Sequence, residues 1–182
     1  RMKKAAPFLL TMLLFSGCYL YISKALPLKR MVKLPNFSKA YQLQSYDSFP
    51  DPLVVSRVIN IFYHHWALDF GDKNKKVFKA LDSLMIEWKE EPKSGTGFSI
   101  TGHRIEGVIR GVAVTPGYIW VWKNKYNRIS STALIHELVH CALWSTNYHG
   151  DPDHEGPKYD GWTKRHTEFI LKLNYLLAGM DI

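Results

Sequence analysis

Ser130-Ser131-Thr132-Ala133-Leu134-Ile135-His136-Glu137-Leu138-Val139-His140-Cys141-Ala142 is the stretch on which the reading of this 182-residue chain turns. No Gly or Pro interrupts it before Gly150. Ser130 or Ser131 stands where a helix N-cap belongs, just ahead of an apolar run. On a helix, residues four apart share a face one turn apart. His136 and His140 therefore present two imidazoles to one point, a spacing suited to a metal ion. Leu134, Leu138, Cys141 and Ala142 fall away from the histidines, toward a core. Glu137 lies beside the histidine face, where a carboxylate can reach a metal-bound water.

Written as a pattern, His136 to His140 is HExxH, and here the chain resembles the zincins, a superfamily of zinc peptidases. The resemblance implies one zinc per chain, with His136 and His140 as ligands and Glu137 as general base. It also implies a sheet ahead of the helix, whose edge strand often binds substrate in extended form. Catalytic zinc commonly has three protein ligands and one open position. The chain departs from the metzincin pattern HExxHxxGxxH, with Leu143 at the glycine position and Thr146 at the third histidine. The third ligand is expected from the loop 148–157, which is dense in donors and turn residues. His154 is ranked first, 14 residues past His140 and beyond Gly150 and Asp151-Pro152. Asp151 or Asp153, then His149, then Glu168 are the alternatives, and the wheel turns Glu168 toward solvent. Asp151, Asp153 and Glu155 are candidates to orient a ligating histidine through its second ring nitrogen. His166, Tyr148 and Tyr159 are candidate donors to a developing oxyanion.

The N-terminus sets the compartment. Lys3 and Lys4 precede an apolar run from Pro7 to Phe15, then Ser16-Gly17-Cys18, the form of a secretory signal. The small residues ending at Cys18 resemble the lipobox of bacterial lipoproteins, with Phe15 where leucine is usual. That likeness implies a signal peptide over 1–17 and lipidation of Cys18. Ala5 to Ile22 is also 18 residues, long enough for an uncleaved membrane anchor. Either way the domain is expected outside the cytoplasm on a membrane tether. Residues 18–50 are expected to form that tether and its lead-in, and 51–182 a single zincin-like domain. With Cys18 lipidated, Cys141 alone remains, so no intrachain disulfide forms. Cys141 is expected to be a buried small residue.

Composition is that of an ordinary globular domain: 46% hydrophobic, 14% aromatic, six Trp. Net charge is +8, but the positive residues are scattered and no nucleic-acid motif appears. The charge is read as surface, leaning toward anionic lipid or cell-wall partners.

The expected elements give an α+β fold, a small sheet with a hairpin before the HExxH helix and helices flanking it. Asp51-Pro52 opens a helix that Gly71 ends, with Val54, Val58, Ile61, His65 and Leu68 as its inner stripe. A second helix is expected over 74–91 from the period of Val77, Leu81, Leu84 and Trp88. Ser94 to Gly97 reads as a loop, Phe98 to Ile100 as a short strand and Gly107 to Val114 as a longer one. Thr115-Pro116-Gly117 is a turn, and Tyr118 to Trp122 is a strongly β-prone strand. A last helix over 162–178 carries His166, Phe169, Ile170, Leu173, Leu176 and Leu177 inward. The reading that follows is a membrane-tethered zinc metallopeptidase acting on a peptide segment or cell-wall peptide. Its rival is a structural or interaction lipoprotein, with a structural zinc or an inactive zincin fold.

Overall fold

The structure is a computed structural model that describes residues 29–45, 50–98, 104–123, 128–146 and 162–182. Its strands are β1 (Lys29–Lys33), β2 (Tyr41–Ser45), β3 (Met85–Lys89), β4 (Lys93–Phe98), β5 (Arg104–Ile109), β6 (Gly111–Thr115) and β7 (Tyr118–Trp122). Its helices are α1 (Pro52–Asp69), α2 (Lys76–Asp82), α3 (Leu134–Ser145) and α4 (Lys164–Gly179), with 3₁₀ turns at Lys73–Lys75 and Ile129–Ser131. The fold is α+β.

Five strands form one sheet in the order β1-β2-β3-β7-β6. β1 and β2 are antiparallel. β2 and β3 are parallel, and α1 and α2 make the crossover between them. β3 and β7 are also parallel. β6 and β7 form the expected hairpin around Pro116-Gly117, with a register shift between Ala113 and Thr115. Alternation divides the sheet into two faces. Ile86, Trp88, Ile119 and Val121 join the buried cluster that includes Val58 and Phe62 of α1, Leu138 of α3 and Phe169 of α4. Glu87 lies on the opposite face, where it accepts from Lys29 Nζ and Tyr118 Oη.

Several elements differ from expectation. The helix expected over 74–91 stops at Asp82, and Met85–Lys89 is a strand. Ile86 and Trp88 alternate inward, and parallel neighbours on both sides complete the ladder. Ser94 to Gly97 is not a loop; it lies within β4, which pairs with β5 in a separate two-stranded sheet. Phe98 ends β4, and residues 99–100 lie outside the described residues. The strand expected over 107–114 is broken at Arg110, with β5 in the small sheet and β6 in the large one. From Lys29 on, the segment expected as lead-in supplies two strands of the main sheet, and Leu34 and Ala40 between them are buried.

α1 begins as expected: Asp51 accepts from the Leu53 N–H at 2.8 Å, and Pro52 takes the first helical position. Its inner stripe is rotated from expectation. Val55, Val58, Ile59, Phe62 and Trp66 are buried, while Leu68 is exposed. His65 is half-buried and is not a core histidine. The inner stripe of α4 is His166, Phe169, Ile170, Leu173 and Leu177, and Leu176 faces outward. Among the described residues no helix is long and apolar enough to cross a membrane; Ala5 to Ile22 lies outside them.

Candidate metal centre

α3 follows the 3₁₀ turn directly, and Ser130 and Ser131 belong to that turn rather than to a cap. The Thr132 hydroxyl accepts from the Leu134 N–H at 3.2 Å and donates to the Ile129 carbonyl at 2.7 Å. Leu134, Leu138, Cys141 and Ala142 are fully buried, as the wheel requires. Ile135, Val139 and Leu143 are buried too, so α3 is enclosed on nearly every side. Such a helix is positioned by packing, and its polar side chains are held with it.

His136 and His140 come together as their spacing demands. Their Nε2 atoms are 3.2 Å apart and their rings lie 5.0 Å apart at 67°. A tetrahedral zinc with Zn–N bonds of about 2.0–2.1 Å holds two ligand nitrogens roughly 3.3–3.4 Å apart. The observed separation therefore fits two ligands of one ion. His136 is half-buried, whereas His140 is 7% exposed.

Glu137 is 4% exposed and faces the edge strand β6. The Ala113 backbone hydrogen-bonds its carboxyl group, which lowers its pKa, but burial outweighs this and raises it to about 8. A nearby dication favours the charged form and opposes that rise. Gly111 makes the approach of β6 feasible: a β-carbon there would stand 2.6 Å from Glu137 Oε1. Burial pushes the Cys141 thiol up, with the Glu137 charge adding to it. Cys141 is a buried free thiol, as expected.

Trp162 completes the described surroundings. Its ring centroid is 5.0 Å from that of His136 and 4.9 Å from that of His140. The indole is buried and donates to Thr167 Oγ1 at 3.1 Å. An apolar wall beside two imidazoles restricts their rotation and excludes water from one side.

The remaining candidates separate. His166 is buried and packs against Phe70, with ring centroids 4.4 Å apart and 9° between planes. Its Nδ1 accepts from the Thr163 N–H at 2.9 Å, closing a capping box at the start of α4. Burial first, and the Arg165 charge second, lower its pKa to about 4. His166 is thus held as a neutral packed histidine. Glu168 is exposed and pairs with Lys164 at 3.4 Å, in line with its expected place in solvent. Among the described residues no third His, Cys, Asp or Glu joins the two histidines in a metal-holding group. Tyr148, His149, Asp151, Asp153, His154, Glu155 and Tyr159 lie outside the described residues, as does Cys18.

Sequence reasoning missed Trp162, Gly111 and Ala113 as parts of this centre. Gly111 carried a signal, since a glycine within a β-prone run often marks close backbone approach. Trp162 carried none, because no spacing rule connects it to residues over twenty positions earlier. β7, the aromatic strand, is interior to the sheet, and Trp120 is buried. The edge next to the histidine helix is β6.

Comparison of the chain with family models, with curated proteins and with solved structures finds no match.

Proposed function

We propose that this chain is a zinc-dependent metallopeptidase, attached to a bacterial membrane and acting outside the cytoplasm. One observation carries the reading: two imidazole nitrogens converge to 3.2 Å on a buried helix, with the Glu137 carboxyl group held beside them by the β6 backbone. His136 and His140 would hold the ion, with His154 as third ligand. A zinc ion there would supply Lewis acidity, lowering the pKa of a water and polarising a carbonyl.

The chain's own residues carry the rest. Glu137 accepts a proton at its carboxylate and returns it to the leaving amine. The hydrogen bond from β6 and the packing of α3 fix that carboxylate, so little reorganisation is needed when the proton moves. Trp162 shields one side of the imidazole pair from water. β6 is the last strand of its sheet among the described residues, and an edge strand can pair with an extended peptide, which favours a peptide or cell-wall peptide substrate over a compact one. The tether follows from Ala5 to Ile22 and Cys18, as a lipid attachment or as an anchor.

The test is Glu137→Gln, which keeps size and removes the base. Hydrolysis of denatured casein should fall by about 10²–10⁴-fold while zinc content stays at the wild-type level. Unchanged cleavage would locate the hydrolysis elsewhere.

A further inference from the structure

The outward side of α1 is apolar as well as its inward side. Leu53 and Leu68 are 59% and 69% exposed, against fully buried Val55, Val58 and Phe62. α1 and the C-terminal turns of α4 border an open groove of about 720 Å³. Leu53, Val54, Ile61, Leu176 and Met180 form its aliphatic walls. The two helices run antiparallel: Asp69 at the end of α1 meets Lys172 at 3.2 Å and accepts from Arg165, while Leu53 and Met180 share the groove.

The one formally charged side chain of the lining, among the described residues, is Arg57. Arg57, Asn60, His64 and His65 border the groove, and among the described residues no carboxylate does. Neither Arg57 nor His64 has a hydrogen-bond or ion-pair partner among the described residues. An aliphatic trough carrying the unpaired Arg57 complements a surface that is apolar beneath and anionic above.

Chain length brings such a surface within reach. The run Ala5 to Ile22 ends seven residues before Lys29, and seven residues span at most about 25 Å. Asn36, just beyond β1, lines the groove, so Lys29 is within a further ~25 Å of it. A domain tied so closely to a bilayer meets it repeatedly, and the face it presents matters.

We propose that the α1–α4 groove is a membrane-docking surface, its aliphatic walls entering the acyl boundary of an anionic phospholipid bilayer and Arg57 meeting the headgroup phosphates. The proposal rests on the reading of Ala5 to Ile22 as membrane-attached, and it is independent of the metal centre. Docking would fix the domain's orientation on the membrane beyond what the tether alone imposes.

The test uses the full chain with Cys18→Ser, a form that keeps the apolar run, reconstituted into vesicles of phosphatidylcholine with or without phosphatidylglycerol. A nitroxide is placed at Leu176→Cys or, as control, at exposed Lys79→Cys; Cys141 is buried. In phosphatidylglycerol vesicles the Leu176 label should gain contact with dissolved oxygen and lose contact with an aqueous nickel complex. The Lys79 label should stay in water, and Arg57→Glu should return the Leu176 label to water. Vesicle-bound chain with an equally nickel-accessible Leu176 label in both lipids would overturn the docking proposal and leave the tether standing. Loss of nickel contact without oxygen gain would assign the groove to a protein partner or a second copy, and overturn it too. Chain that fails to float with either vesicle would remove the tether and this proposal with it.

Discussion

Gly111 faces Glu137 so closely that a β-carbon on the glycine would lie 2.6 Å from Glu137 Oε1 and 2.9 Å from the Ala133 β-carbon. β6 and α3 can meet at this distance because the strand has no side chain there. Gly111→Ala must push the strand or the carboxylate aside. Overpacking of this kind costs about 1–3 kcal/mol, so the denaturation midpoint should fall. Zinc content should remain, since both histidines lie on α3. Turnover should fall by more than substrate affinity, because the displaced group is the proposed base. Steady-state kinetics and metal analysis on one preparation separate these effects.

His166 gives the fold a definite pH dependence. Its pKa is about 4 in the folded chain and near 6.5 when unfolded. Between those values the unfolded chain binds the additional proton, so stability rises with pH. The contribution is complete above about pH 6.5 and is lost as pH falls toward about 4. Gln at this position retains the capping box with Thr163 and does not titrate. His166→Gln should therefore flatten the stability profile across that window, measured by urea denaturation at several pH values.

Trp162 packs against both histidines and is buried together with His140. Trp162→Ala should destabilise the domain by about 3–5 kcal/mol and weaken zinc binding, because the imidazoles lose the wall that restricts them. Trp162→Phe keeps an aromatic face and loses the donor to Thr167, so it should retain most of the zinc affinity. Competition with a chelator ranks the variants, and an alanine variant binding zinc as tightly as the wild type would remove Trp162 from the centre.

Where one local pattern dominates, the chain was legible in advance. The HExxH helix, the turn at Pro116-Gly117, the strand Tyr118 to Trp122 and the start of α1 each carry a capping, turn or spacing signal of their own. The segment 74–91 did not, because Leu84 and Trp88 fit a helical period while Leu84, Ile86 and Trp88 fit alternation equally well. Pairing with β2 and β7 decides the matter, and that partnership joins residues more than thirty positions apart. α1 misled for a different reason. It is apolar on two faces, so a wheel cannot tell the face against the core from the one along the groove. At the centre, two histidines and a glutamate follow from spacing alone. Gly111, Ala113 and Trp162 arrive through tertiary contact, and their part in it could not be read from the helix.

Zinc content tests the central claim most directly. Full-length chain purified with zinc supplied, then dialysed against metal-free buffer, is measured by elemental analysis beside His136→Ala and His140→Ala. The convergence of the two Nε2 atoms predicts about one zinc per wild-type chain and its loss from either variant. A wild-type chain without stoichiometric metal, or a His136→Ala chain that keeps it, would contradict the account.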